Sequence, residues 1–151
     1  MNDDERRERN QQVVRWVYTH LEERANQSVD QMKEYLAEGA VMELPYGGVA
    51  RTAPTFEDRL QTLRDTVDRF SSWSHTNITF HDCLDPDELI WEADADATFR
   101  YSGDRYPQRY VMFVKMRDFK IVEAKEYFNT SIMHLFAQNE AAKRTASEDT
   151  T

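Results

Sequence analysis

The chain has 151 residues and a net charge of −9, from 28 acidic and 19 basic side chains. This length suits a single domain with a hydrophobic core, and a content of 40% hydrophobic and 12% aromatic residues argues against disorder of the whole chain. The excess of acidic residues argues against a nucleic-acid or membrane-surface partner, because both surfaces attract clustered Lys and Arg.

Cysteine content and apolar runs exclude further classes of protein. Cys83 is the only cysteine, so the sequence offers neither an internal disulfide nor a cysteine-rich zinc site. The first residues lack the apolar core of a signal peptide, and no apolar run approaches membrane-spanning length. We therefore expect a cytoplasmic protein without a membrane partner.

The N-terminal part shows the spacing of amphipathic helices. Residues 3–25 predict a first helix, because apolar residues recur at three- and four-residue intervals, at Val13, Val14, Trp16, Val17 and Leu21. Residues 26–39 predict a shorter second helix, with Ser28 as its N-cap and Gly39 in the left-handed position at its end.

A short strand and a third helix follow. Residues 40–48 predict a strand that ends at Pro45 and a pair of glycines. Residues 52–70 predict a helix with Thr55 near its N-cap. The apolar residues at helical spacing in this segment are Phe56, Leu60, Leu63, Val67 and Phe70.

After Trp73 the hydrophobic pattern changes to period two, which is typical of strands. The alternation predicts an antiparallel meander of four strands, over residues 75–84, 88–101, 106–116 and 120–129. Residues 131–136 predict a short helix. From about residue 138 the chain is polar, so we assign residues 1–137 to one domain and expect residues 138–151 to be disordered.

This order of elements predicts the α+β class, because helices come first and a run of antiparallel strands follows. The apolar face of the sheet must be covered, and the N-terminal helices are the elements available to cover it. We therefore expect a cone-shaped barrel, in which a curved antiparallel sheet wraps around the helices and leaves an apolar pocket.

The predicted last strand carries a carboxylate on its apolar face. Alternation places Val122, Ala124, Glu126 and Phe128 on one face, and Ile121, Glu123, Lys125 and Tyr127 on the other. A buried carboxyl has a raised pKa, so Glu126 could act as a general acid or base near neutral pH. Two alternatives remain open: an ion pair on a solvated edge, or a bulge that turns the side chain outward.

The turn before this strand sets which residues face Glu126. A register with Met116 opposite Lys120 places Tyr110 opposite Glu126 and Met112 opposite Ala124. The other register would turn Lys115 inward, which is costly for an unpaired charge. Tyr110 is then a hydrogen-bond partner or second proton donor for Glu126, or an ordinary amphipathic core tyrosine.

The remaining candidates line the pocket or the outer surface. We expect a small apolar or aromatic ligand to contact Trp16, Tyr46, Leu63, Trp91, Phe99, Met112, Ala124 and Phe128. The row of Glu92, Asp94 and Asp96 is interpreted as a solvated or dimer-forming face, because a metal cage needs ligands from several elements. His75 and His81 are predicted to share one exposed face. None of the four histidines forms a recognisable metal-binding pair, and neither a metal nor an organic cofactor is expected.

The ordered set of segments resembles a known superfamily. A helix with "VVRWV", the strand "AVMELPYGG", a third helix and the final "KIVEAKEYFN" are similar to the nuclear-transport-factor-2-like fold, over about residues 8–136. Within it the chain resembles the SnoaL-like group and the phenazine-biosynthesis A/B proteins. The resemblance implies a conical barrel around an apolar pocket, and homodimers formed through the outer sheet face. It also implies activities such as ketosteroid isomerisation, polyketide ring closure, dehydration or epoxide hydrolysis, although some members only bind ligands.

Two branches of the superfamily can be compared residue by residue. Ketosteroid isomerases place their base directly before the proline of the first strand, where this chain has Leu44. Their oxyanion donors match Trp16 and Met112, so steroid isomerisation by that mechanism is not expected. Phenazine-type proteins carry a pocket glutamate in the last strand, which matches Glu126, and a histidine where this chain has Thr62.

The sequence therefore predicts a cofactor-independent enzyme of secondary metabolism. The reaction expected is an isomerisation, dehydration or cyclisation in which Glu126 acts as general acid or base with help from Tyr110. The alternative is a non-catalytic module of the same fold that binds a ligand or dimerises.

Overall fold

The structure is a computed structural model that describes residues 1–150. Its helices are α1 (Asp3–Thr19), α2 (Leu21–Ala25), α3 (Val29–Met32), α4 (Phe56–Arg69) and α5 (His134–Glu148), with a 3-10 turn at Thr130–Ile132. Its strands are β1 (Leu36–Leu44), β2 (Val49–Thr52), β3 (Phe70–Asp82), β4 (Glu88–Phe99), β5 (Arg105–Arg117) and β6 (Lys120–Phe128). Across the described residues, no helix is both long and apolar enough to pass through a bilayer.

The described strands form one curved sheet in the order β2-β1-β6-β5-β4-β3. The α+β class predicted from the sequence is confirmed. The sheet differs from the prediction in two ways. It stays open, with β2 and β3 at its edges. In addition, the first strand, β1, pairs with the last strand, β6, and this pair is parallel, whereas an antiparallel sheet was predicted.

Helix α1 lies on the concave face of the sheet and is fixed there by a buried amide. Val14 and Val17 are buried in the main hydrophobic core, and Asn10 is fully buried beside them. The Asn10 Nδ2 atom donates to the Pro86 carbonyl oxygen at 2.9 Å and to Asp87 Oδ1 at 3.0 Å. These bonds tie the first half of α1 to the loop between β3 and β4.

The predicted first helix is interrupted at His20. Its backbone has φ −116° and ψ 56°, which ends α1 and starts α2 in a new direction. The Thr19 hydroxyl donates to the Arg15 carbonyl oxygen at 2.6 Å, so a side chain takes part in closing the last turn of α1. The change of direction brings Leu21 and Arg24 of α2 to the cavity described below.

The predicted second helix is much shorter than expected. Ser28 caps α3 as predicted and accepts a hydrogen bond from the Gln31 backbone N–H at 3.3 Å, but the helix ends at Met32. The Tyr35 carbonyl accepts from the Ile121 N–H at 2.9 Å, so pairing with β6 replaces helix from this point. Gly39, with φ +71°, lies in an irregular part of β1 instead of ending a helix.

The predicted capping of α4 is present. The Thr55 hydroxyl accepts a hydrogen bond from the Asp58 backbone N–H at 3.1 Å. Leu60 and Leu63 are buried on the inner face of the helix, so their predicted periodicity corresponds to packing. Strand β3 begins directly at Phe70, five residues before the predicted strand at 75–84.

The pairing of β5 with β6 is displaced by two residues from the predicted register. Tyr110 lies opposite Phe128, and Met112 lies opposite Glu126. The turn contributes one residue of this displacement, because Arg117 lies opposite Lys120 where Met116 was predicted, and a register shift between Lys115 and Met116 contributes the other. Because the displacement is two residues, Tyr110 and Glu126 still point to the same face.

The same irregularity turns Ile121 inward at the start of β6. Met116 and Lys115 are consecutive in β5, but their partners are Ile121 and Glu123, so Val122 is the extra residue. Ile121 is therefore buried in the main core, although alternation predicted it on the outer face. From Ala124 onward the predicted alternation holds.

A bulge in β3 separates two histidines that were predicted to share a face. The β3–β4 register shifts between Thr76 and Thr79, and Asn77 within the shift has φ 53°. His75 consequently faces the interior. His81 lies on the outer face and contacts Glu92 at 2.6 Å.

The outer face of the sheet carries cross-strand ion pairs. Asp96 binds Arg105 at 2.6 Å, and Asp94 binds Arg109 at 2.9 Å. The predicted solvated row is therefore present, and arginines of β5 pair with two of its three carboxylates. In residues 1–150 no group of three or more His, Cys, Asp or Glu is placed to hold a metal ion.

The C-terminal segment from residue 138, which composition predicted to be disordered, lies largely within α5. Asn139 is fully buried, and its Oδ1 atom accepts from the backbone N–H groups of Tyr101 at 2.9 Å and Ser102 at 3.2 Å. Phe136 packs against a second core cluster that contains Phe99. One amide and one aromatic side chain thus attach a mostly polar helix to the turn between β4 and β5.

We predict that Asn139→Ala lowers the free energy of unfolding by about 1–3 kcal/mol, because two backbone N–H groups lose their acceptor. Gln138→Ala, an exposed neighbour on the same helix, should change it by less than about 0.5 kcal/mol. Urea denaturation of both variants measures the difference. Equal stabilities would show that Asn139 does not anchor α5.

Candidate functional site

A cavity lies between the helices and the concave face of the sheet. It consists of two adjoining chambers with volumes of about 410 and 170 Å³. Both chambers are lined by Tyr18, Arg24, Met42, Leu44, Thr62, Leu63, Met112 and Glu126. The larger chamber extends toward α5, and the smaller one extends along β1.

Glu126 is the carboxyl at the junction of the chambers. It lies in a row across the sheet with Met112 and Trp91, so its neighbours on the strands are apolar. Within residues 1–150 its carboxyl makes no hydrogen bond or ion pair. Burial raises its pKa from 4.5 to about 7. The residue is partly exposed, and we assign this exposure to the cavity, because Glu126 lines both chambers.

Three phenols surround this carboxyl. Burial raises the pKa of Tyr18, Tyr106 and Tyr110, and the negative charge of Glu126 raises each of them further. All three hydroxyls stay protonated at neutral pH. Tyr106 donates to Met133 Sδ at 3.8 Å and is hydrogen-bonded with Tyr110, whereas the Tyr18 hydroxyl has no hydrogen bond within residues 1–150 and can donate to a ligand. Tyr18 comes from α1, whereas Tyr106 and Tyr110 come from β5.

A buried glutamine fixes one of these phenols. Gln108 is 1% exposed, and its Nε2 atom donates to the Tyr106 hydroxyl and to the Asn129 carbonyl, both at 2.9 Å. Its Oε1 atom accepts from the N–H groups of Asn129 at 2.7 Å and Arg109 at 2.9 Å. Gln108 thus uses its full hydrogen-bonding capacity to hold Tyr106 and the end of β6 together.

His75 is a neutral side chain in the larger chamber. The Trp73 Nε1–H group donates to His75 Nε2 at 3.2 Å, so Nε2 is an acceptor and the proton is on Nδ1. Burial lowers the pKa of His75, which also favours the neutral ring. His75 can therefore donate one hydrogen bond without carrying charge.

Two arginines line the cavity and are held by backbone carbonyls. Arg24 donates to the Val17 carbonyl and, from Nε, to the Tyr35 hydroxyl at 3.3 Å. Arg59 donates to the carbonyls of Ala40 and Pro54. Neither guanidinium is in an ion pair within the described chain. Neither of them lowers the pKa of Glu126, which burial alone sets.

Most of the residues predicted for the site lie around this cavity. Those that line it are Glu126, Tyr110, Leu63, Trp91, Met112, Ala124 and Phe128. Three others lie elsewhere. Trp16 stacks on His20 and contacts Tyr35, Tyr46 is 70% exposed and contacts Tyr127, and Phe99 is fully buried behind the wall formed by Phe70 and Tyr106.

Tyr18 and His75 line the cavity but were not among the residues predicted for the site. Tyr18 continues the buried stripe of Val14 and Val17 at helical spacing, so the phenol could have been chosen instead of Trp16. His75 was missed because period-two alternation does not show the bulge at Asn77. The bulge, in which Asn77 has a positive φ, places His75 and His81 on opposite faces of the strand.

The turn between β1 and β2 lies directly over a wall of the larger chamber. A Cβ atom built at Gly47 would approach the Phe128 Cζ atom to 2.7 Å, which is closer than van der Waals contact allows. Gly47 therefore permits the close approach of this turn to the ring of Phe128.

We predict that Glu126 makes the stability of the protein depend on pH between 4.5 and 7. Since the pKa of Glu126 is higher in the folded protein, its contribution to stability is complete below about pH 4.5 and is lost as the pH rises to about 7. At about 1.36 kcal/mol per pKa unit, the loss is at most about 3.4 kcal/mol. Urea denaturation across this range should show that Glu126→Gln removes this loss and leaves the opposite contribution of His75, whose lowered pKa makes the fold more stable as the pH rises.

Glu123→Gln is the matched control on the same strand. A hydrogen bond from Arg51 lowers the pKa of Glu123, so this residue stabilises the fold above its unfolded pKa and that contribution is lost only at more acidic pH. The control should keep the wild-type dependence between pH 4.5 and 7. A Glu126→Gln variant that also kept it would contradict the raised pKa.

Comparisons with known proteins agree with this architecture. The SnoaL-like domain family matches residues 13–124, and curated proteins gave no match. A candidate isomerase from Bacillus subtilis is 24% identical, with a TM-score of 0.66 over 85% of this chain and 90% of that chain. A candidate polyketide cyclase from Xanthomonas campestris pv. campestris is 18% identical, with a TM-score of 0.66 over 89% of this chain and 98% of that chain.

A phenazine biosynthesis-related protein from Pseudomonas aeruginosa is also similar, at 18% identity and a TM-score of 0.61, over 84% of this chain and 83% of that chain. At these identities the solved structures establish the fold alone. The family match ends two residues before Glu126, so it does not itself describe this carboxyl. It nevertheless covers most of the chain, and the protein therefore belongs to the SnoaL-like domain family, within the nuclear-transport-factor-2-like superfamily.

Proposed function

We propose that this protein is a cofactor-independent enzyme of secondary metabolism that isomerises, dehydrates or cyclises a small apolar or aromatic molecule. The observation that carries the proposal is the buried carboxyl of Glu126, which has no counter-ion and faces a cavity. A group whose pKa lies near 7 can take up and release a proton at neutral pH. The proposal also fits the reactions ascribed to similar proteins, which are a candidate isomerase and a candidate polyketide cyclase.

In the proposed mechanism, ionised Glu126 removes a proton from a carbon next to a carbonyl group of the substrate. The resulting enolate oxygen accepts hydrogen bonds from neutral phenols, for which Tyr110 and Tyr18 are the candidates. Protonated Glu126 then returns the proton to another carbon, to a departing hydroxyl, or to the oxygen formed when a new carbon–carbon bond closes a ring. These three outcomes correspond to isomerisation, dehydration and cyclisation.

The alternative is a non-catalytic module of the same fold that binds a ligand or dimerises. The absence of any hydrogen bond to Glu126 within residues 1–150 favours it, because nothing in the chain itself orients the carboxyl. Thr62, at the position where phenazine-type proteins have a histidine, also favours it, since a second titrating group is missing there.

We also infer that the protein forms homodimers through the outer face of the sheet. Phe113 is 40% exposed there, and its ring lies 5.9 Å from that of Tyr127, which in turn contacts Tyr46 at 5.4 Å. Exposed aromatic rings with charged groups around them are typical of protein interfaces, whose centres are rich in aromatic residues and poor in charge.

The catalytic proposal can be tested with 2-tetralone, a two-ring ketone that loses a proton next to its carbonyl group. In D₂O the wild type should catalyse deuterium incorporation at that carbon, measured by proton NMR. Glu126→Gln should lower the rate by about 10²–10⁴-fold, whereas Glu123→Gln, on the outer face, should leave it unchanged. Because the base must be ionised, the wild-type rate should rise with pH and level off above about pH 7.

Binding of 2-tetralone is measured in parallel by calorimetry. If wild type binds the ketone without exchange above the buffer rate, the non-catalytic alternative is supported. If Glu126→Gln exchanges as fast as wild type, Glu126 is not the base.

The dimer proposal predicts that sedimentation velocity at micromolar concentration gives a dimer for wild type. Phe113→Asp should give a monomer, because a charge replaces the exposed ring at the centre of the cluster. Leu84→Asp changes a fully exposed apolar residue in the loop after β3, away from the cluster, and should remain dimeric. A monomeric wild type would contradict the proposal.

A further inference from the structure

One of the residues that line the larger chamber is an arginine without an ion pair inside the described part of the protein. Arg69 is in the last turn of α4 and lines this chamber. Its Nε atom is buried without a hydrogen-bond partner, and within residues 1–150 the side chain has no ion pair. The other contact of the group is with the ring of Phe136, 5.1 Å from the guanidinium carbon. Arg24 and Arg59 differ from it, because backbone carbonyls hold both of them.

Nearby acidic groups do not neutralise Arg69. The residue also lines a surface notch that contains Asp65, Asp68 and Glu140, and none of these three carboxylates is within ion-pair distance of Arg69. Asp68 is paired with Lys143 at 3.1 Å, and Asp65 accepts a hydrogen bond from Gln61 at 2.9 Å. The positive charge of Arg69 is therefore available to a group inside the chamber, where an anion would replace water around it.

Besides Arg24, which is held by the Val17 carbonyl and the Tyr35 hydroxyl, the larger chamber has two charged groups, Arg69 and Glu126. Tyr106 is near enough to both for each charge to act on it, since Glu126 raises its pKa and Arg69 lowers it. The wall around Arg69 is otherwise apolar or aromatic, and consists of Phe70, Trp73, Tyr106, Met133 and Phe136. A flat ring system fits such a wall, and an acidic group on it would be attracted to Arg69 and repelled by ionised Glu126.

We propose that the ligand of this cavity is a carboxylate with an apolar ring system, and that Arg69 binds the carboxylate. This inference rests on the proposed function only in taking the cavity as the ligand site, and it fixes the orientation of the ligand. With the acid group at Arg69, the ring system extends toward Glu126, so the atoms that exchange protons lie at the far end from the carboxylate. An arginine suits this role because its planar donors match the two oxygens of a carboxylate.

The test compares 2-naphthoate with 2-naphthamide, two ligands of similar shape that differ in charge. Titration calorimetry at pH 8 should show that wild type binds the naphthoate at least about 10-fold more tightly than the amide. Arg69→Met should lose this preference. Arg109→Met removes the same charge from the outer face and should keep it. Arg69→Lys, which keeps the charge without the planar fork, should retain only part of the preference and serves if the methionine variant does not fold.

Equal affinities for the two probes in wild type, or no binding of either probe, would overturn the proposal. A preference that persists in Arg69→Met would overturn it as well. The readout is binding alone, so it is independent of the deuterium exchange that tests Glu126. A carboxylate preference that depends on Arg69 in a protein without exchange activity would support this inference and reject the catalytic function.

Discussion

The site depends on the burial of one carboxyl group without a compensating cation. A buried, ionised Glu126 is unfavourable, and its pKa rises to about 7 because no neighbouring positive charge offsets the loss of water. The free energy lost by burying this carboxyl is offset by the rest of the fold, mainly by the hydrophobic core between α1 and the sheet. The raised pKa is therefore a consequence of the same apolar surroundings that make the cavity suitable for an apolar ligand.

Charge is distributed differently on the two faces of the sheet. On the outer face, Asp94 and Asp96 each bind an arginine from β5, and the two pairs lie in the ladder between β4 and β5. On the inner face, the charged groups that line the cavity have no such partners. Exposed pairs of this kind contribute little to stability, and the sheet itself lies between them and Glu126.

The sequence predicted the class of the fold and the facing of most strands, because alternation in β4, β5 and β6 reflects burial directly. It could not predict the bulges, since an added residue in one strand depends on the partner strand. The bulge at Asn77 turned His75 inward, and the turn before β6 together with the shift beside Met116 moved Tyr110 away from Glu126 by two positions. Composition also failed for the C-terminal segment, where one buried side chain, Asn139, attaches a helix that is otherwise polar.

Gly47 has a consequence for how proteins of this shape could diverge. Its close approach to Phe128 means that a methyl group at position 47 would press the ring away from the turn, toward the hollow on its other side. The width of the binding space would then change although no side chain in contact with the ligand had been replaced. A substitution in an exterior turn can in this way change which molecules bind, although the substituted residue does not contact the bound molecule.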